Sequence, residues 1–136
     1  MANYIKKLIK RYLKKNLTTH PKHYYFLRWL ADLVKDTKQT DYVCAGIARW
    51  IYDTDEHYLL EKLNDLFVID NNVYIYTYRP GLWIGKCGKT MDSLMHSLNY
   101  AIDNVKIHNY QIKLIEIQNQ PYSEVIGYAH FYANDW

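Results

Sequence analysis

Between Asn72 and Tyr78 the side chains alternate without a break. Val73, Ile75 and Thr77 point to one side of an extended chain and Tyr74, Tyr76 and Tyr78 to the other. A period of two marks a β-strand. Leu66-Phe67-Val68-Ile69 and the polar Asp70-Asn71-Asn72 precede it, as a short strand and a hairpin turn would. Arg79-Pro80-Gly81 ends it, because proline cannot donate to a ladder and glycine relaxes the turn. A short apolar turn, Leu82-Trp83-Ile84, then leads into Gly85-Lys86-Cys87-Gly88. A helix follows from Lys89 to about Asp103, striped by Met91, Leu94, Met95, Leu98, Ala101 and Ile102. A further strand is expected over Tyr110–Ile117, and Val125–Tyr132 has the composition of an edge strand.

The first half of the chain reads as helical. From Tyr4 to Leu17 the residues Tyr4, Ile5, Leu8, Ile9, Tyr12 and Leu13 cover one side of a helix and most of the lysines the other. Pro21 marks a turn, and a second helix is expected over Lys22–Val34 with Tyr25, Leu30, Trp29 and Leu33 as its apolar side. Thr40 or Asp41 is expected to cap a third helix reaching Tyr52 through Val43, Ile47 and Trp50. Asp53, Thr54 or Asp55 would cap a shorter one carrying Tyr58, Leu59, Leu63 and Leu66.

Charge is unevenly spread along these segments. Lys6, Lys7, Lys10, Arg11, Lys14, Lys15, Lys22 and Arg28 precede the first acid, Asp32, so residues 1–28 carry +8. The rest of the chain, with nine basic and fourteen acidic side chains, sums to −5. A polyanion would meet the N-terminal segment first. Cys44 and Cys87 form no disulfide or metal framework, and no apolar run reaches membrane-spanning length. An intracellular, cytoplasmic setting is the expectation, with an organellar matrix or a virus-infected cell as alternatives.

A tetrapeptide bounded by glycines lets backbone approach backbone, since neither end carries a Cβ. The N-terminus of the following helix turns its amides toward the same place and favours an anion there. Lys86 and Lys89 add positive charge. The stretch Ile84-Gly85-Lys86-Cys87-Gly88-Lys89-Thr90-Met91, preceded by Thr77-Tyr78-Arg79-Pro80-Gly81, resembles the loop of a type II KH domain, above all that of the small-subunit ribosomal protein uS3 family. The KH domain of the GTPase Era is similar, but less so. The resemblance covers residues 65–119 and is strongest over 72–98.

The resemblance implies an α+β fold: a three-stranded mixed sheet backed by three helices, and a groove for about four unpaired nucleotides clamped at the loop. It divides the chain into a basic helical extension over residues 1–40, a type II KH domain over 41–119 with its core at 65–119, and a C-terminal extension over 120–136. The RNA-binding residues it implies are Gly85, Lys86, Cys87, Gly88 and Lys89, with Arg79 beside them. Leu82 and Ile84 would wall the groove on one side, Met91, Leu94 and Ile112 on the other, and Trp83 would line the groove or fill the core. Lys6, Lys7, Lys10, Arg11 and Lys14 would add phosphate contacts.

The chain departs from the family in having Cys87 where a basic or small polar residue is commoner. Its 55-residue core is also neutral, with five basic and five acidic side chains. The partner expected is single-stranded RNA, ribosomal RNA being one candidate. The alternative is a KH scaffold used for protein contacts. Tyr74, Tyr76 and Tyr78 are expected to be buried under the N-terminal helices or in a homodimer or protein interface. The six histidines are scattered without metal spacing, and no nucleophile–base set, carboxylate pair or phosphate-binding Gly-Lys-Ser/Thr loop occurs. Neither an enzyme activity nor a cofactor is expected.

Overall fold

A computed structural model describes residues 2–15, 18–19 and 21–117, with side chains for 3–11 and 26–116. The fold is α+β. Its helices are α1 (Ala2–Lys15), α2 (Pro21–Val34), α3 (Thr37–Thr54), α4 (Pro80–Ile84) and α5 (Lys89–Asn99). Its strands are β1 (Thr18–Thr19), β2 (Leu63–Ile69), β3 (Asn72–Thr77) and β4 (Gln111–Ile117). The expected strand over Val125–Tyr132 lies outside the described residues.

The sheet is mixed. β2 and β3 form an antiparallel hairpin, and β3 runs parallel to β4 from Asn72 opposite Gln111 to Thr77 opposite Glu116. The hairpin turns on two residues, Asp70 (φ 49°) and Asn71 (φ 66°), both left-handed. That geometry matches the twist of the paired strands and suits short polar side chains. The parallel pairing needs a crossover, and α4, the loop and α5 supply it. The two-residue β1, which no sequence pattern announces, pairs parallel with Glu116 and Ile117 at the outer edge of β4.

Strict alternation in β3 becomes a three-layer structure. Val73 and Ile75 pack with Val43, Ile47, Trp50, Trp83, Leu94 and Leu98 on the side of α3, α4 and α5. Tyr74 and Tyr76 pack with Ile9, Leu27, Leu30 and Ala31 on the side of α1 and α2. Tyr74 is 5% exposed and Tyr76 0%, and Tyr78 is half-buried against the same cluster. The tyrosine face is thus covered by the chain's own helices. As a surface for a homodimer or protein partner it is corrected, because two of its three rings have no surface left to offer.

Two ion pairs hold the outer helices in place. Lys6 Nζ lies 3.0 Å from Asp70, fastening α1 to the hairpin turn, and Arg28 bridges α2 to Asp65 of β2. The outer edge of β2 is closed by the α2–α3 junction. There the Asp36 amide donates to the Val68 carbonyl, and the Val68 amide donates to Thr40 Oγ1.

Several boundaries move. Asp36, rather than Thr40 or Asp41, caps α3, its carboxylate accepting from the Gln39 amide at 3.0 Å. Asp55 ends α3 in the left-handed region, and only a six-residue 3-10 turn (His57–Lys62) follows, so Leu63 and Leu66 belong to β2. α5 stops at Asn99, which leaves Ile102 fully exposed rather than on a helix stripe. In α2 the inward side is Leu27, Leu30 and Ala31, whereas Trp29 and Leu33 face outward. A helix with apolar residues on two sides gives periodicity no single face to choose.

Candidate nucleic-acid interface

The loop is built from the end of β3. Thr77 Oγ1 accepts from the Arg79 amide at 3.2 Å, Pro80 occupies the first turn of α4 where its missing N–H costs nothing, and the Gly85 amide closes on the Gly81 carbonyl at 3.0 Å. Gly85 then takes φ 76°, ψ 178°, a region open only to glycine. Lys86–Gly88 makes a single 3-10 turn, with the Gly88 amide on the Gly85 carbonyl at 3.2 Å. Cys87 (φ 56°) and Gly88 (φ 75°) are both left-handed. Three of the four loop residues therefore have positive φ, and α5 begins directly behind them.

The two glycines differ in what they are needed for. A Cβ on Gly85 would sit 2.1 Å from Thr90 Oγ1 and 2.6 Å from Thr90 Cβ, whereas one on Gly88 would meet nothing within 4 Å. Gly85 lets the loop backbone fold onto the first turn of α5. Gly88 supplies backbone conformation alone.

Around this turn Arg79, Lys86, Cys87 and Lys89 are exposed, and Gly85 and Gly88 are half-buried. No side chain caps the N-terminus of α5. Among the described residues, no ion pair engages Arg79, Lys86 or Lys89. Elsewhere Lys6, Arg28 and Lys35 are held by carboxylates. The loop thus presents three free cations beside helix-end amides, an arrangement that attracts an anion.

The expected groove walls are only partly where the sequence put them. Ile84 is 45% exposed, and Leu82, Met91 and Ile112 are half-buried with their inner sides on the core. Leu94 is corrected: it is wholly buried and belongs to the core. Trp83 is also wholly buried, which makes it core filling rather than groove lining.

The basic helix is elsewhere. α1 packs on the tyrosine side of the sheet, opposite α4 and α5, so Lys7, Lys10 and Arg11 point to solvent with the sheet between them and the loop. Lys6 is already paired with Asp70, and the side chain of Lys14 lies outside the described ones. A cavity of about 710 Å³ opens between α3 and α5 and is lined by Tyr42, Arg49, Trp50, His96, Tyr100 and Ile107 among others. None of the expected site residues lines it, and no short motif pointed to it, because it forms between residues about fifty positions apart. At its floor the Trp50 indole N–H donates to Ser93 Oγ at 2.9 Å.

No family model, curated protein or solved structure matches the chain. Among the described residues no helix is long and apolar enough to cross a membrane, and no group of His, Cys, Asp and Glu side chains could hold a metal ion.

Proposed function

We propose that this chain is a single-stranded RNA-binding protein of the type II KH kind, without enzymatic activity, that clamps a short unpaired segment at Gly85-Lys86-Cys87-Gly88. The observation that carries this reading is the loop itself. Gly85 folds the backbone onto α5, and Arg79, Lys86 and Lys89 stand free around it. A phosphate set there meets helix-end amides and lysine charge together. The bases would lie along Leu82, Ile84, Met91 and Ile112, whose outer sides stay accessible. The resemblance to a small-subunit ribosomal protein family makes ribosomal RNA the first ligand to try.

The strand arrangement supports the same reading. A type II KH core needs two parallel strands joined by helix, loop and helix, with a third strand antiparallel to one of them. β3, α4, the loop, α5 and β4, with β2 beside β3, have that order. A second reading, the scaffold used for protein contacts, has the α3–α5 cavity in its favour, with Ile102 fully exposed and Ile107 49% exposed at its rim.

Titration of a labelled, randomised RNA of about five nucleotides, one more than such a groove holds, separates the two readings. The loop variant Lys86→Asp, Cys87→Asp is expected to abolish binding and leave the thermal midpoint in place. Unchanged affinity would remove the loop from the site.

A further inference from the structure

The surface that faces away from the loop has its own unexplained chemistry. α2 is apolar on both sides: Leu27, Leu30 and Ala31 are buried, yet Phe26, Trp29 and Leu33 are 57%, 59% and 56% exposed. A helix that is apolar on two sides is normally covered on both. Phe26 and Trp29 lie one turn apart with ring centroids 6.3 Å from each other. α1 lies beside α2 on the same sheet face, with Ile9 buried and Ile5 packed against the same cluster. Its outward side offers Lys7, Lys10 and Arg11, at i, i+3 and i+4, all exposed. No ion pair engages them among the described residues.

Charge decides between the occupants. A second copy of this chain packed across a two-fold axis would bring two rows of three unpaired cations together. A bilayer would find only the narrow Phe26–Trp29–Leu33 strip of one helix to bury, because the apolar side of α1 is spent on the sheet. A single-stranded nucleic acid brings both partners at once: phosphates for the row of cations and π-faces for the exposed rings. We propose that the outer surface of the α1–α2 layer is a second single-stranded RNA site, in which Lys7, Lys10 and Arg11 take phosphates and Phe26 and Trp29 stack on bases. It rests on the reading of the chain as RNA-binding but on none of the loop's residues. With a helix and a sheet between the two surfaces, a segment of about four nucleotides held at the loop does not reach it. The ligand is therefore a longer unpaired RNA that rounds an edge of the sheet, or two separate segments.

Two variants test this on the full chain: Lys7→Gln, Lys10→Gln, Arg11→Gln, and Phe26→Ala, Trp29→Ala. Both change only exposed side chains, and circular dichroism checks the fold. The probes are randomised single-stranded RNAs of about five and about thirty nucleotides, titrated at several salt concentrations. For the longer RNA, the charge variant is expected to lower the slope of log affinity on log salt by roughly 2, about 0.7 per phosphate released. The aromatic variant is expected to weaken binding about fivefold or more. Neither should change binding of the short RNA. Equal loss on both lengths would overturn the proposal by placing these residues and the loop on one site. Unchanged binding of the longer RNA would overturn it too, and if the aromatic variant then converts a dimer to a monomer, a second copy is the occupant. If instead the Lys86→Asp, Cys87→Asp loop variant binds both RNAs normally while the α1–α2 variants lose the longer one, the loop reading fails and this site stands.

Discussion

Gly85 and Thr90 approach so closely that a methyl group on the glycine would lie 2.1 Å from the threonine hydroxyl oxygen. This contact sets where the loop backbone runs relative to the first turn of α5, and hence where an anion would sit. It also distinguishes two residues that look equivalent in sequence.

Gly85→Ala is expected to cost more stability than Gly88→Ala. The first combines a glycine-only backbone conformation with a steric clash, about 2–5 kcal/mol together. The second adds only a Cβ in the left-handed region, about 1–2 kcal/mol. Urea unfolding of the two variants checks the order, and equal midpoints would contradict the geometry.

Cys87 sits at φ 56° and ψ 28° with an exposed side chain. Replacement by glycine or asparagine, which tolerate that region better, is expected to raise stability by up to about 1 kcal/mol. Most loop variants do the opposite, so a gain in the thermal midpoint would be diagnostic.

Asn99 ends α5 and is 6% exposed. Its side chain accepts from the Tyr110 amide at 2.7 Å and donates to the Tyr110 carbonyl at 3.0 Å. Its own carbonyl accepts from the amides of Ile107 and His108. Asn99→Ala leaves a buried amide and carbonyl without partners and is expected to cost about 2–4 kcal/mol. Hydrogen exchange should quicken over residues 105–112 before it does in the β2–β3 hairpin.

Burial, and then the Asp70 charge, raises the pKa of Tyr74, and burial raises that of Tyr78. Both phenols thus hold their protons to higher pH in the folded chain than at the ordinary value of 10.0. Their contribution is complete below the unfolded value and is lost as pH rises through the folded one. Stability should therefore fall from about pH 10 upward. Tyr74→Phe should flatten that decline, as urea midpoints measured across the range would show.

The sheet core was the most legible part of the chain. Strict alternation over 72–78, the polar Asp70-Asn71 turn and the glycine-bounded loop are local signals, and β3, the hairpin and the start of α5 follow them. What stayed hidden is tertiary. Leu63 and Leu66 fit a helical spacing, but hairpin pairing with Thr77 and Ile75 draws them into β2. Trp29 and Leu33 fit one helical face as well as Leu27 and Leu30 do, and only packing against Phe67 and Tyr76 decides between them. The charge of α1 is plain in the sequence, while its position across the sheet from the loop is set by Ile9 and by the Lys6–Asp70 pair. Leu94 shares its stripe with Met91, but one turn farther along α5 it meets the core in place of the groove.

The most direct test of the central claim is an amide chemical-shift map of the full chain as a short single-stranded RNA is added. Binding at the loop predicts that the largest shifts fall on Gly85 through Met91, with smaller ones at Arg79 and Ile112. Shifts confined to the α3–α5 cavity around Tyr42 and Tyr100, or none at saturating RNA, would contradict it.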